Sequence, residues 1–97
     1  MYKLLFFIHK PVDNKILDHF RNHTINIIAE LSSQPVKLGE VESNLLTSQK
    51  YSNVCEAVFN SKDEMEKAMN SKAGIALNKD LMDFHQFITV ISVNYYL

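Results

Sequence analysis

The segment Leu4-Leu5-Phe6-Phe7-Ile8 is apolar at every position, the pattern of a strand covered on both faces rather than one half-exposed to water. Side chains alternate along a strand, so Tyr2, Leu4, Phe6, Ile8 and Lys10 point one way and Lys3, Leu5, Phe7 and His9 the other. Both sides need an apolar neighbour, which puts this strand at the centre of a sheet. Pro11-Val12-Asp13-Asn14 breaks it and offers Asp13 or Asn14 as the N-cap of a helix running to about Leu31. At about 100° per residue, Ile16, Phe20, Thr24, Ile27 and Leu31 share one stripe, with Leu17 and Ile28 on its shoulder. His23 falls about 20° off the same line, on the border of the buried face, with His19 nearer solvent and Ile25 on the opposite side.

Ser32-Ser33-Gln34-Pro35 ends the helix, and Val36 to Val41 and Tyr51 to Phe59 then read as two strands, the first less regular. In the second, Tyr51, Asn53, Cys55, Ala57 and Phe59 alternate with Ser52, Val54, Glu56 and Val58. Ser61-Lys62-Asp63-Glu64 is a capping box, in which the Ser61 hydroxyl accepts from the backbone N–H of Glu64 while the Glu64 side chain reaches back. The helix it starts runs to about Asn70 or Ser71, Gly74 allows a break, and Ala76, Leu77, Asp80, Leu81 and Phe84 have the spacing of a further short helix. Phe87 to Tyr95, rich in β-branched and aromatic residues, is the last strand.

The order β-α-β-β-α-β predicts a ferredoxin-like α+β plait: a four-stranded antiparallel sheet with helices on one face, formed by residues 1–97 as a single domain. A domain of this size leaves about a third of its unfolded surface exposed. Because the strands are apolar on both sides, the sheet face away from the helices is expected to pack on a second copy, giving a two-fold homodimer.

Composition removes several functions. With 10 basic and 11 acidic residues, a net charge of −1 and no cluster of Lys or Arg, nucleic acid is not an expected partner. One cysteine, Cys55, excludes an intrachain disulfide and any CxxC redox or metal motif, and favours a reducing compartment. The apolar start ends in His9-Lys10-Pro11 rather than a small-residue cleavage site, and no run approaches a membrane span, so a cytoplasmic protein with no membrane partner is expected. Among plaits, Tyr51-Ser52-Asn53-Val54-Cys55-Glu56 lacks the aromatic pattern of an RNA-recognition strand. The turn Lys10-Pro11-Val12-Asp13-Asn14 lacks the glycine of an anion-binding loop.

Phe20-Arg21-Asn22-His23 on the first helix resembles the first half of the EthD family, named for ethyl tert-butyl ether degradation. Glu56-Ala57-Val58-Phe59-Asn60-Ser61, then Met69-Asn70-Ser71-Lys72-Ala73-Gly74, then Asp80-Leu81-Met82-Asp83-Phe84, is similar to that family's strand, Ser-capped helix, "S-P-E-G"-like turn and "D-x-x-x-F" ending. The resemblance covers nearly the whole chain in order and spacing. It implies the dimeric α/β-barrel superfamily, whose relatives include antibiotic-biosynthesis monooxygenases, muconolactone isomerases and haem-degrading enzymes. The haem-degrading branch commonly uses a tryptophan near the cofactor, and this chain has none.

His23 is the candidate catalytic residue, since an imidazole facing a cleft between helix and sheet can take or give a proton near neutral pH. The bland alternative is a helix-border histidine bonded to backbone. Phe20, Tyr51, Asn53 and His85 are the candidate ligand contacts, against ordinary roles in packing, strand edges and a surface turn. His19 and His23 have the i, i+4 spacing of two ligands on one metal, but no neighbouring carboxylate completes a HExxH pattern, and neither a metal nor a cofactor is expected. The expected function is that of an EthD-like homodimer binding a small apolar organic molecule between sheet and helices, with cofactor-independent acid–base or oxygenation chemistry; the alternative is a non-catalytic ligand-binding or interaction homodimer. Residues alone do not decide whether it is an enzyme.

Overall fold

The computed structural model describes residues 1–96. Strand β1 (Tyr2–His9) leads through the cis Lys10–Pro11 bond into a helical stretch of α1 (Asn14–His19), a π-helical turn (Phe20–Thr24) and α2 (Ile25–Ser32). The short β2 (Gly39–Glu40), β3 (Tyr51–Phe59), α3 (Lys62–Met69), α4 (Lys72–Met82), a 3₁₀ turn (His85–Phe87) and β4 (Ile88–Asn94) follow. The strands form one antiparallel sheet in the order β2-β3-β1-β4, the plait topology, with β1 and β3 central.

The alternation in β1 is as expected. Tyr2, Leu4, Phe6 and Ile8 are buried beneath the helices, while Lys3, Leu5, Phe7 and His9 stay half-buried on the other side. Phe20, Ile28 and Leu31 from the first helical stretch, Cys55, Ala57 and Phe59 from β3, and Ala73, Leu77, Phe84 and Ile88 complete the core. On the open face Leu5, Phe7, Val54, Val58 and Val93 remain half-buried and Ile91 exposed, with Lys3 paired to Glu56 at 3.2 Å. Phe7 and Tyr51 stack there with centroids 4.7 Å apart.

Local capping explains the helix ends. Asp13 accepts from the Lys15 N–H at 2.7 Å, and Ser61 accepts from the Glu64 N–H at 3.2 Å, as its motif requires. Ser33 closes α2 in the left-handed region at φ 56°, and Gln34 N–H donates back to the Ala29 carbonyl at 3.2 Å, a Schellman ending.

Three details differ from the sequence expectation. Val36 and Leu38 pack on the core outside any strand, so β2 shrinks to Gly39–Glu40. The break between α3 and α4 falls at Asn70–Ser71, with Gly74 inside α4. Gly74 is there for space, because a Cβ on it would lie 2.5 Å from the Ala68 carbonyl oxygen and nearer still to the Met69 carbonyl group.

The π turn is the third. The Ile25 N–H reaches the Phe20 carbonyl, an i→i+5 bond that inserts one residue into the helical repeat. A regular helix would leave Ile28 about 80° away from Phe20, and one extra residue turns it back by about 100°. Ile28 is accordingly fully buried with Phe20 and Thr24, and Ile27 sits on the shoulder. The same phase change carries His23 away from the border of the buried face, so its side chain is 61% exposed.

Candidate functional site

Two polar constellations flank the first helical stretch. On the flank facing α4, His19 Nε2 lies 2.6 Å from Asp80 Oδ1, and His23 Nε2 lies 3.6 Å from the same oxygen. The other carboxylate oxygen, Asp80 Oδ2, accepts from the Thr24 hydroxyl at 2.5 Å. Thr24 is fully buried and the Asp80 side chain 8% exposed, so this hydrogen bond holds the carboxylate away from water and fixes its orientation. The imidazoles stand at the rim, ring centroids 5.0 Å apart, with His19 edge-on to Phe84 at 5.3 Å. Thr24 keeps the inward position its place on the apolar stripe gives it, and His19 and His23 stand together on the outer flank of the π turn.

On the other flank, Leu17 and Arg21 meet the sheet across a cleft of about 310 Å³, whose remaining walls are Lys10, Val12, Glu40, Val41, Ser52 and Asn53. A bulge in the β1–β3 ladder shapes its floor. His9 pairs with Tyr51 and Ile8 with Asn53, so Ser52 is the extra residue and the alternation of β3 slips by one at that point. Tyr51 therefore lies on the open sheet face beside Phe7 and His9, while Asn53 turns under the helix. The Ser52 hydroxyl donates to the Ile8 carbonyl at 3.4 Å. Asn53 is 8% exposed and lines the cleft, and among the described residues no fully buried side-chain nitrogen or oxygen lacks a hydrogen-bond partner.

The candidates named from sequence do not converge on one place. His23 belongs to the Asp80 cluster and Asn53 to the cleft. Phe20 is sealed in the core, Tyr51 faces the open side of the sheet, and His85 is exposed on the 3₁₀ turn with Nδ1 3.1 Å from the Met82 carbonyl oxygen. Sequence reasoning passed over Thr24 and Asp80 as a pair, because their contact joins residues 56 positions apart. The signal available was Asp80 in its "D-x-x-x-F" run, which by itself names no partner. Cys55 takes no part: burial, helped by the charge of Glu56, pushes its thiol from 9.0 up to about 12.

No protein-family model and no curated protein matches the chain. Among solved structures, an ethyl tert-butyl ether degradation (EthD) family protein from Bacillus halodurans C-125 superposes with a TM-score of 0.82 at 21% identity, covering 99% of each chain. The fold is that of an EthD family protein. A second neighbour is At3g17210 from Arabidopsis thaliana, with a TM-score of 0.69 at 15% identity over 99% of this chain and 95% of that one. A solution structure of the same plant protein gives 0.60 at 16% identity, covering 99% and 88%. The EthD fold and the element order read from sequence therefore agree from end to end. No helix is long and apolar enough to cross a membrane among the described residues.

Proposed function

We propose that this chain is an EthD-like homodimer that binds a small organic molecule in the cleft between its first helical stretch and the sheet. The observation that carries the reading is Asn53: a nearly buried side chain that a strand bulge turns into the wall of the cleft. An amide at the cleft wall offers both a donor and an acceptor to orient a bound molecule. The cleft volume of about 310 Å³ suits a single ring.

Its lining describes the occupant. Val12, Leu17 and Val41 offer apolar contact, Asn53 an orienting amide, and Lys10 and Arg21 two cations against the single carboxylate of Glu40. Among the described residues Arg21 has one ion pair, an exposed contact to Asp18 at 3.7 Å that restrains its guanidinium little. A compact ring bearing a carboxylate or phenolate matches this chemistry. The open sheet face, with Leu5, Phe7, Val54, Val58, Ile91 and Val93, closes against the twin subunit and leaves the cleft accessible on the helix side. His23 stands on the other flank, so the cleft itself supports binding rather than proton transfer by that imidazole.

The test is a titration of isotopically labelled protein with benzoate, salicylate and phenol, followed by backbone and Asn53 side-chain amide shifts. Saturable shifts confined to Leu17, Arg21, Ser52 and Asn53, stronger for the anions and lost in Asn53→Leu, are expected. Shifts that fail to saturate, or that spread over the surface and survive Asn53→Leu, would refute the reading.

A further inference from the structure

We infer that His19, His23 and Asp80 form a binding site for a divalent transition-metal ion, of which Zn²⁺ is the natural occupant by ligand chemistry. Their three ligand atoms lie within 4.8 Å of one another, and two imidazole nitrogens converge on one carboxylate oxygen at 2.6 and 3.6 Å. Bond lengths of about 2.0–2.2 Å around a tetrahedral zinc ion put neighbouring ligand atoms about 3.4 Å apart. The existing spacing brackets that value. Both rings project from the helix surface, 42% and 61% exposed, so small rotations reach it without moving backbone.

A helix clamp between His19 and Asp80 would need only one histidine. Three further features suit a metal site. Asp80 Oδ1 faces the imidazoles because Oδ2 is held by buried Thr24, the outer hydrogen bond that orients a metal-ligating carboxylate. Two neutral imidazoles and one carboxylate give an N₂O donor set of borderline softness, the type that selects zinc over magnesium or calcium. The exposed rim leaves a fourth position to water, as in sites with three protein ligands. The site is independent of the cleft on the other flank.

The test uses Zn²⁺ itself by calorimetry and Co²⁺ as a visible-spectrum probe of tetrahedral coordination. One ion per chain at micromolar affinity or tighter is expected. Thr24→Val should weaken binding about 10–100-fold, as loss of an outer partner does, and His23→Ala and Asp80→Asn by more than that. His23 is largely exposed, so His23→Ala keeps the fold and remains decisive even where Asp80→Asn destabilises it. Asn53→Leu should leave zinc binding unchanged, which separates this site from the proposed cleft. Affinity no better than millimolar, or micromolar affinity untouched by His23→Ala, overturns the inference.

Discussion

Gly74→Ala sets two effects of opposite sign against each other. Gly74 is helical and buried near the start of α4, where alanine gains about 1 kcal/mol in intrinsic helix propensity, less at a terminal turn. Against that, the added methyl would meet the Ala68 carbonyl oxygen at 2.5 Å and press harder still on the Met69 carbonyl. These are backbone atoms and no rotamer change relieves them. The elbow is also pinned, since Ser71 Oγ donates to the Ala68 carbonyl at 2.5 Å and accepts from Gly74 N–H at 3.4 Å. Overpacking of a rigid site costs about 1–3 kcal/mol or more, so the clash wins and leaves a net loss of about 2 kcal/mol. For a domain of this size each kcal/mol moves the melting midpoint by about 4–8 °C, giving an expected drop of about 8–16 °C. Thermal unfolding followed by circular dichroism, with urea unfolding as a check on two-state behaviour, measures it. A midpoint equal to or above the parent's would show that α3 and α4 do not meet as described.

Two other outcomes follow from buried polar groups. Thr24→Val keeps the volume but leaves Asp80 Oδ2 without its donor; urea unfolding should show a loss of about 1–3 kcal/mol at unchanged slope, and an unchanged midpoint would mean the hydrogen bond is not formed. Cys55, with its thiol raised to about 12, should resist alkylation at mildly alkaline pH in the native protein and react at once in urea. The native state holds that proton more tightly than the unfolded chain, so this group's contribution is intact below about pH 9 and is lost as the pH rises through about 12. A Cys55→Ala variant should therefore lose less stability over that alkaline interval, and a parallel loss in both proteins would contradict the assignment.

Much of the fold was legible because its signals are local. Five successive apolar residues marked β1 as central, Ser61 and Glu64 marked a helix start, and β3 has the bounds, Tyr51 to Phe59, read from its alternating run. What escaped was one residue of phase in two places. An extra residue at the π turn, flanked by no glycine or proline, rotated Ile28 into the core and His23 out of it. An extra residue at Ser52 sent Tyr51 and Asn53 to opposite faces of the sheet although simple alternation puts them together. Both irregularities sit beside the two candidate sites, and both depend on contacts between distant segments that periodicity within a segment does not contain. Asp80 shows the same limit: its helical position was readable, its partners His19 and Thr24 were not.

The helix-covered face of the sheet holds the core, and the proposed homodimer would close the other face with a second subunit. Sedimentation velocity of the full chain across a dilution series tests this most directly, with Phe7→Asp, a charge placed where Phe7 stacks on Tyr51, as the comparison. The expected result is a species of twice the 11.2 kDa chain mass that persists into the low micromolar range, reduced to a single folded chain by the substitution. A wild-type protein that sediments at 11.2 kDa up to near-millimolar concentration would contradict it.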